Sequence, residues 1–210
     1  MRWTVPKLWP GATVFIIGGG PSVTTTDLSL IHGRRVIGVN DACFLGPWVD
    51  VAFFGDCNWY DWNHRRFLRT FHGLRVTVCQ RHAKKPGILW VERGKPAGLE
   101  LERADRLGWN RSSGACAVDL AYHLGAARIV LIGFDMQKVG GACNYHSNHK
   151  TKQVGDPYPR FIRYFKHIAG DAKKAGLEIW NATPGSAMEH FPVMTLEEAV
   201  SRDAKERAAA

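Results

Sequence analysis

No apolar run in this 210-residue chain approaches the ~18 residues that a membrane-spanning helix needs. The opening stretch MRWTVPKLWPG is too short and too broken by proline for a secretory leader, so a cytoplasmic protein is expected. Cysteine is sparse and odd in number: Cys43, Cys57, Cys79, Cys116 and Cys143. Three of them sit among apolar residues, which argues for reduced thiols rather than a disulfide framework. No repeat and no composition break divides the chain. Residues 1–200 are therefore expected as one domain, with 201–210, SRDAKERAAA, as a flexible tail or fraying helix. Neither G-x-G-x-x-G nor the Lys-Ser/Thr of a P-loop occurs, and no recognised nucleic-acid motif is present.

What is present is a formal charge of +9, a lean toward anionic partners that does not choose among small phosphates, nucleic acid and acidic surfaces. Short runs rich in β-branched or aromatic residues recur at Val14–Ile17, Val36–Val39, Val51–Phe54, Leu74–Val78, Ile129–Ile132 and Leu177–Trp180. Several are apolar throughout, as strands covered on both faces must be. Helical patterns fall between them at Thr26–Ile31, Trp59–Phe71, Ser113–Leu124 and Pro159–Ala175. The alternation predicts an α/β fold, a single Rossmann-like domain with a mainly parallel sheet and helices on both faces. Two irregular stretches interrupt it, one from Gln80 to Ser113 with a hairpin expected at Ile88–Val91, the other from Met136 to Pro159.

The first strand runs into Gly18, Gly19, Gly20, Pro21 and Ser22. Such a hinge either cradles an anion with bare backbone N–H groups or is a tight turn with a serine cap. Ser112, Ser113 and Gly114 open a later helix and offer a second set of amides. Asn40 and Asp41, Asp56 and Asn58, and Asp135 each follow a strand end, where ligands of open α/β sheets bind. Cys143, His146 and His149 are spaced for zinc only if a fourth ligand comes from elsewhere. As a general base, a histidine there needs only a hydroxyl within reach. Trp59, Tyr60 and Trp62 either stack on a ligand ring or face the core. His64, Arg65, Arg66 and Arg69 follow them as a basic segment.

In order, VFIIGGGPS, VIGVND, VAFFGD and SSGACAVDLAYHLGAARIVLIGFDM resemble segments of the bacterial sialyltransferases of glycosyltransferase family forty-two. They are similar also to the archaeal 6-hydroxymethyl-dihydropterin diphosphokinases and to uncharacterised phage-encoded proteins. The sialyltransferase resemblance implies a nucleotide sugar held by Gly18, Gly20, Pro21, Ser22, Asn40, Ser113 and Gly114. It implies a histidine base at His146, with His149 as the fallback, and no required cofactor. The diphosphokinase resemblance implies Mg²⁺ held by Asp56 and Asp135 instead. A third expectation is a non-catalytic accessory protein that binds nucleotide or DNA. Gly19 completes the expected nucleotide site, and the acceptor is left open.

Overall fold

The structure, a computed structural model, describes residues 2–148, 150 and 155–209. The apolar runs form strands β1 (Thr13–Ile17), β2 (Arg35–Val39), β3 (Val51–Phe54), β4 (Leu74–Thr77) and the two-residue β5 (Leu89–Trp90). β6 (Glu92–Arg93) and β7 (Arg106–Leu107) make a separate small pair, and β8 (Arg128–Ile132) and β9 (Glu178–Asn181) complete the large sheet. The helices are α1 (Cys57–Thr70), α2 (Ser113–His123), α3 (Tyr158–Ala175) and α4 (Leu196–Ala209).

The seven-stranded sheet has the order β5-β4-β3-β2-β1-β8-β9, and all its pairings are parallel. Side chains alternate across each strand. Val14, Ile16, Ile129 and Leu131 enter one core layer beneath α2 and α3, with Ala117, Leu120, Phe165 and Ile168. Phe15, Ile17, Val130 and Ile132 enter the opposite layer, with Trp59 and Phe67 of α1 and Leu196 and Ala199 of α4. Burial on both sides is what makes β1 and β8 read as unbroken apolar runs, each such side chain contributing about 1.5–3 kcal/mol. β1 pairs with β2 on one side and β8 on the other. The chain thus reverses its direction of travel there, leaving a crevice beyond the carboxyl ends of β1 and β8.

Several expectations are corrected. The segment at Thr26–Ile31 is not an α-helix; two 3₁₀ turns, Pro21–Thr25 and Leu28–Ile31, occupy the region. The hydroxyls of Thr24, Thr25 and Thr26 donate back to the carbonyls of Pro21 and Ser22, competing with helix propagation. The hairpin at Ile88–Val91 is absent too, because β5 joins β4 in parallel and β6 turns to β7. Cys57 and Cys79 are joined as a disulfide, with Cα atoms 5.6 Å apart. They follow β3 and β4, neighbouring parallel strands whose ends emerge side by side, a relation that spacing along the chain does not display.

α4 starts with a reciprocal cap. Thr195 N–H donates to Glu198, and Glu198 N–H donates to the Thr195 hydroxyl. Asp203 on the same helix is buried and pairs with Arg34. Among the described residues, no helix is long and apolar enough to cross a membrane.

Candidate functional site

A cleft of about 590 Å³ lies in the crevice between β1 and β8, within the range of small-molecule sites. Gly18, Gly19, Gly20, Asn40, Asp56, Ser113, Gly114 and Asp135 all line it, so eight of the expected residues do converge. Pro21, Ser22 and His146 do not form its wall. His149 lies outside the described residues.

Two of the three glycine amides of the hinge are taken up within the protein. Gly18 N–H donates to Ile132 O and Gly20 N–H to Gly133 O, each at 2.8 Å, so the end of β8 and the residue after it consume both. A Cβ on Gly20 would stand 1.8 Å from Asp135 Oδ2, and one on Gly18 would stand 2.7 Å from Gly133 O. These glycines admit a neighbouring strand end, and neither has a positive φ. Ser22 is turned onto Asp135, whose carboxylate accepts its amide at 3.1 Å and its hydroxyl at 2.8 Å. Asp135, only 2% exposed, braces the hinge across the crevice.

Gly19 N–H, on the cleft wall, has no partner among the described residues, and α2 supplies two further bare amides. Ser112 caps the helix by accepting from Ala115 N–H, and the Ser112 carbonyl accepts from Cys116 N–H. Ser113 and Gly114, in the first turn and on the cleft wall, have amides without a partner among the described residues. They supply two donors and the positive end of the helix dipole. Ser113 Oγ accepts from Gly55 N–H at 3.2 Å, tying α2 to the end of β3. Gly114 is seated on Phe134, where a Cβ would approach Cε1 to 2.7 Å.

Facing this terminus, Asn40 presents a buried side-chain oxygen with no partner among the described residues. Its backbone has φ +53°, and cleft residues Arg111 and Met136 have φ +49° and +54°. Left-handed backbone at non-glycine residues is costly and gathers where a ligand dictates the geometry. Asp56 spends one carboxylate oxygen capping α1, accepting from Asn58 N–H at 2.9 Å.

Trp109, Arg111, Asn144 and Phe161 also line the cleft, and sequence reasoning missed them. The Arg93 guanidinium lies 3.7 Å over the Trp109 ring while donating to Gly55 O, which fixes the indole as a platform. The signal was present in LGWNRSS, an aromatic residue just ahead of a capped helix, but its loop carried no periodicity. Tyr158 donates its hydroxyl to Cys143 O from the opposite wall. Burial, aided by Cys143, pushes its phenol above the ordinary range, so it stays a protonated donor.

His146 packs behind this wall, edge-on to Tyr145, with its side chain 11% exposed. Its Nδ1 accepts from Asn148 N–H at 3.2 Å, and its Nε2 is 3.6 Å from Asp41 Oδ2. Asp41 also accepts from Trp59 Nε1 at 2.8 Å and from Asn148 Nδ2 at 3.0 Å. Trp59 and Tyr60 are therefore core residues, stacked around Phe54 rather than on a ligand.

No protein-family model matches the chain, and no curated protein sequence matches it. In fold it is similar to the sialyltransferase CstII from Campylobacter jejuni, whose structure holds a substrate analogue, cytidine-5'-monophosphate. The TM-score is 0.59 at 14% identity, covering 89% of this chain and 86% of that one. At that identity the likeness establishes the architecture alone: an α/β domain built on a parallel seven-stranded sheet with helices on both faces.

Proposed function

We propose that the chain is a nucleotide-sugar-dependent glycosyltransferase of the sialyltransferase-like kind. The observation that carries this reading is the pair of bare α2 amides, Ser113 and Gly114, opening into a cleft at the sheet's switch point. The donor's phosphate sits on those amides, its base lies against Trp109, and Asn40 Oδ1 accepts a ribose hydroxyl or base N–H. The acceptor oxygen attacks the sugar's anomeric carbon, and the carbon–oxygen bond to phosphate breaks. The departing phosphate takes the electron pair and is stabilised by the helix terminus.

In this reading the acceptor's proton passes to His146. The Asn148 amide donates to Nδ1, which therefore carries the lone pair and is the basic nitrogen, while Asp41 Oδ2 lies 3.6 Å from Nε2. The acceptor hydroxyl takes the place of that amide when the 143–148 segment, already on the cleft wall at Cys143 and Asn144, shifts. His146→Ala should lower turnover about 10²–10⁴-fold and leave donor affinity unchanged. The readout is donor consumption alongside calorimetric titration with cytidine nucleotides, and wild-type turnover in the variant removes His146 from the mechanism. The magnesium-dependent diphosphate transfer suits the pair Asp56 and Asp135 less well, since both Asp135 oxygens are occupied by Ser22. Turnover that survives complete chelation separates the two.

A further inference from the structure

The sulfurs of Cys57 and Cys79 and one ring nitrogen of His82 lie within 4.8 Å of one another, outside the cleft but one residue from Asp56. A disulfide accounts for the sulfurs and leaves His82 unexplained. That ring is 2% exposed, and its Nε2 is 3.1 Å from Cys57 O and 3.3 Å from Asp61 Oδ1. Both neighbours are acceptors, so Nε2 carries the proton and Nδ1 holds a lone pair. Nδ1 is buried with no hydrogen-bond partner among the described residues, a costly state for a polar atom in a core. A histidine that donates one N–H to a carbonyl and a carboxylate, and keeps the other nitrogen bare, has the arrangement of a metal ligand with its supporting partners in place.

We propose that in the reduced chain Cys57, Cys79 and His82 bind one Zn²⁺. Two thiolates and an imidazole suit this borderline-soft ion better than Mg²⁺ or Ca²⁺. Asp61, also paired with Arg81, orients His82 from behind. Water fills the fourth tetrahedral position from the side of Cys57, the more exposed of the two cysteines. A thiol or phosphine reductant supplies two electrons and, with two protons from solvent, converts the disulfide to two thiols. Zinc binding then releases both thiol protons to solvent. Cys79-x₂-His82 places two of the three ligands on one 3₁₀ turn. The ion would clasp the start of α1 to the segment after β4, on one border of the cleft.

The test uses the full chain kept under a phosphine reductant and titrated with Co²⁺ as a spectroscopic stand-in, then with Zn²⁺ in competition. The expected result is one ion per chain with a thiolate-to-cobalt charge-transfer band, displaced by zinc. Cys79→Ser should abolish the band, and Cys143→Ser should leave it intact, since Cys143 belongs to the cleft. Asp61→Asn should weaken binding about 10–100-fold with the fold retained by circular dichroism, which keeps the proposal testable should Cys79→Ser not fold. A reduced, folded chain that takes up no cobalt overturns the site, as does a band that survives in Cys79→Ser or vanishes in Cys143→Ser.

Discussion

Asp119 shows how a single buried carboxyl holds a cleft wall in place. It projects from α2 and is fully buried, and its Oδ2 accepts Gly108 N–H at 2.6 Å and Glu100 N–H at 3.0 Å. These two bonds anchor the excursion that carries Trp109. Burial pushes its pKa up to about 7, against the lowering effect of both amides. A folded pKa above the unfolded one means that the native state binds the extra proton. The stability this confers is therefore full below about pH 4 and is lost as pH rises toward 7. Asp119→Asn keeps an oxygen for both amides and cannot ionise. The urea midpoint of the wild type should fall relative to that of the variant as pH rises from 5 to 7. Parallel pH profiles would refute this. At this scale sequence was an uneven guide. Ser113 and Asn40 were legible because they stand at a helix start and a strand end. The role of Gly20 was not, because its nearest neighbour is Asp135, 115 positions away, and only the strand order brings them together.

Among the elements, termini matter more than interiors. The first-turn amides of α2 are bare by position, and Ser112, which takes the Ala115 N–H, and Asp119, which fixes the preceding loop, hold them in place. Ser112→Ala should cost about 1 kcal/mol of stability, seen in urea unfolding, and should weaken cytidine nucleotide binding as the first turn frays. Thr195→Ala, at the cap of α4, should cost a similar ~1 kcal/mol with nucleotide affinity unchanged, since α4 lines no part of the cleft. Equal loss of affinity in both variants would show that global softening is being read. Trp109→Ala should remove about 1–3 kcal/mol of nucleotide binding, the usual worth of a base–aromatic stack; an unchanged dissociation constant would take the base off that ring. Strands β1, β2, β3 and β8 and helices α1 to α3 were legible from periodicity, because burial on two faces leaves a plain imprint. The 3₁₀ turns after the hinge were not, since their geometry is set by threonine hydroxyls bonding locally.

For the whole molecule, the parallel sheet and the net charge act together. The order β5-β4-β3-β2-β1-β8-β9 places the carboxyl ends of four strands around one cleft. Strand–helix alternation announced such a sheet but could not tell which strands flank the crevice. The chain carries +9 charges, whereas the cleft offers a phosphate mainly neutral amides, with Arg111 as its one cation among the described lining residues. Attraction at long range and holding at short range therefore have different sources. Long-range attraction is screened as the Debye length falls from about 10 Å at 0.1 M salt to about 3 Å at 1 M. The amide contacts inside the cleft, at about 2.9 Å, are no longer than either length and are made with water excluded, so salt screens them little. Stopped-flow mixing with a fluorescent cytidine nucleotide should thus show association slowing steeply over that range while dissociation changes little. Were dissociation to carry the salt dependence instead, a close ion pair would be holding the phosphate, and Arg111 rather than the α2 terminus would be its anchor.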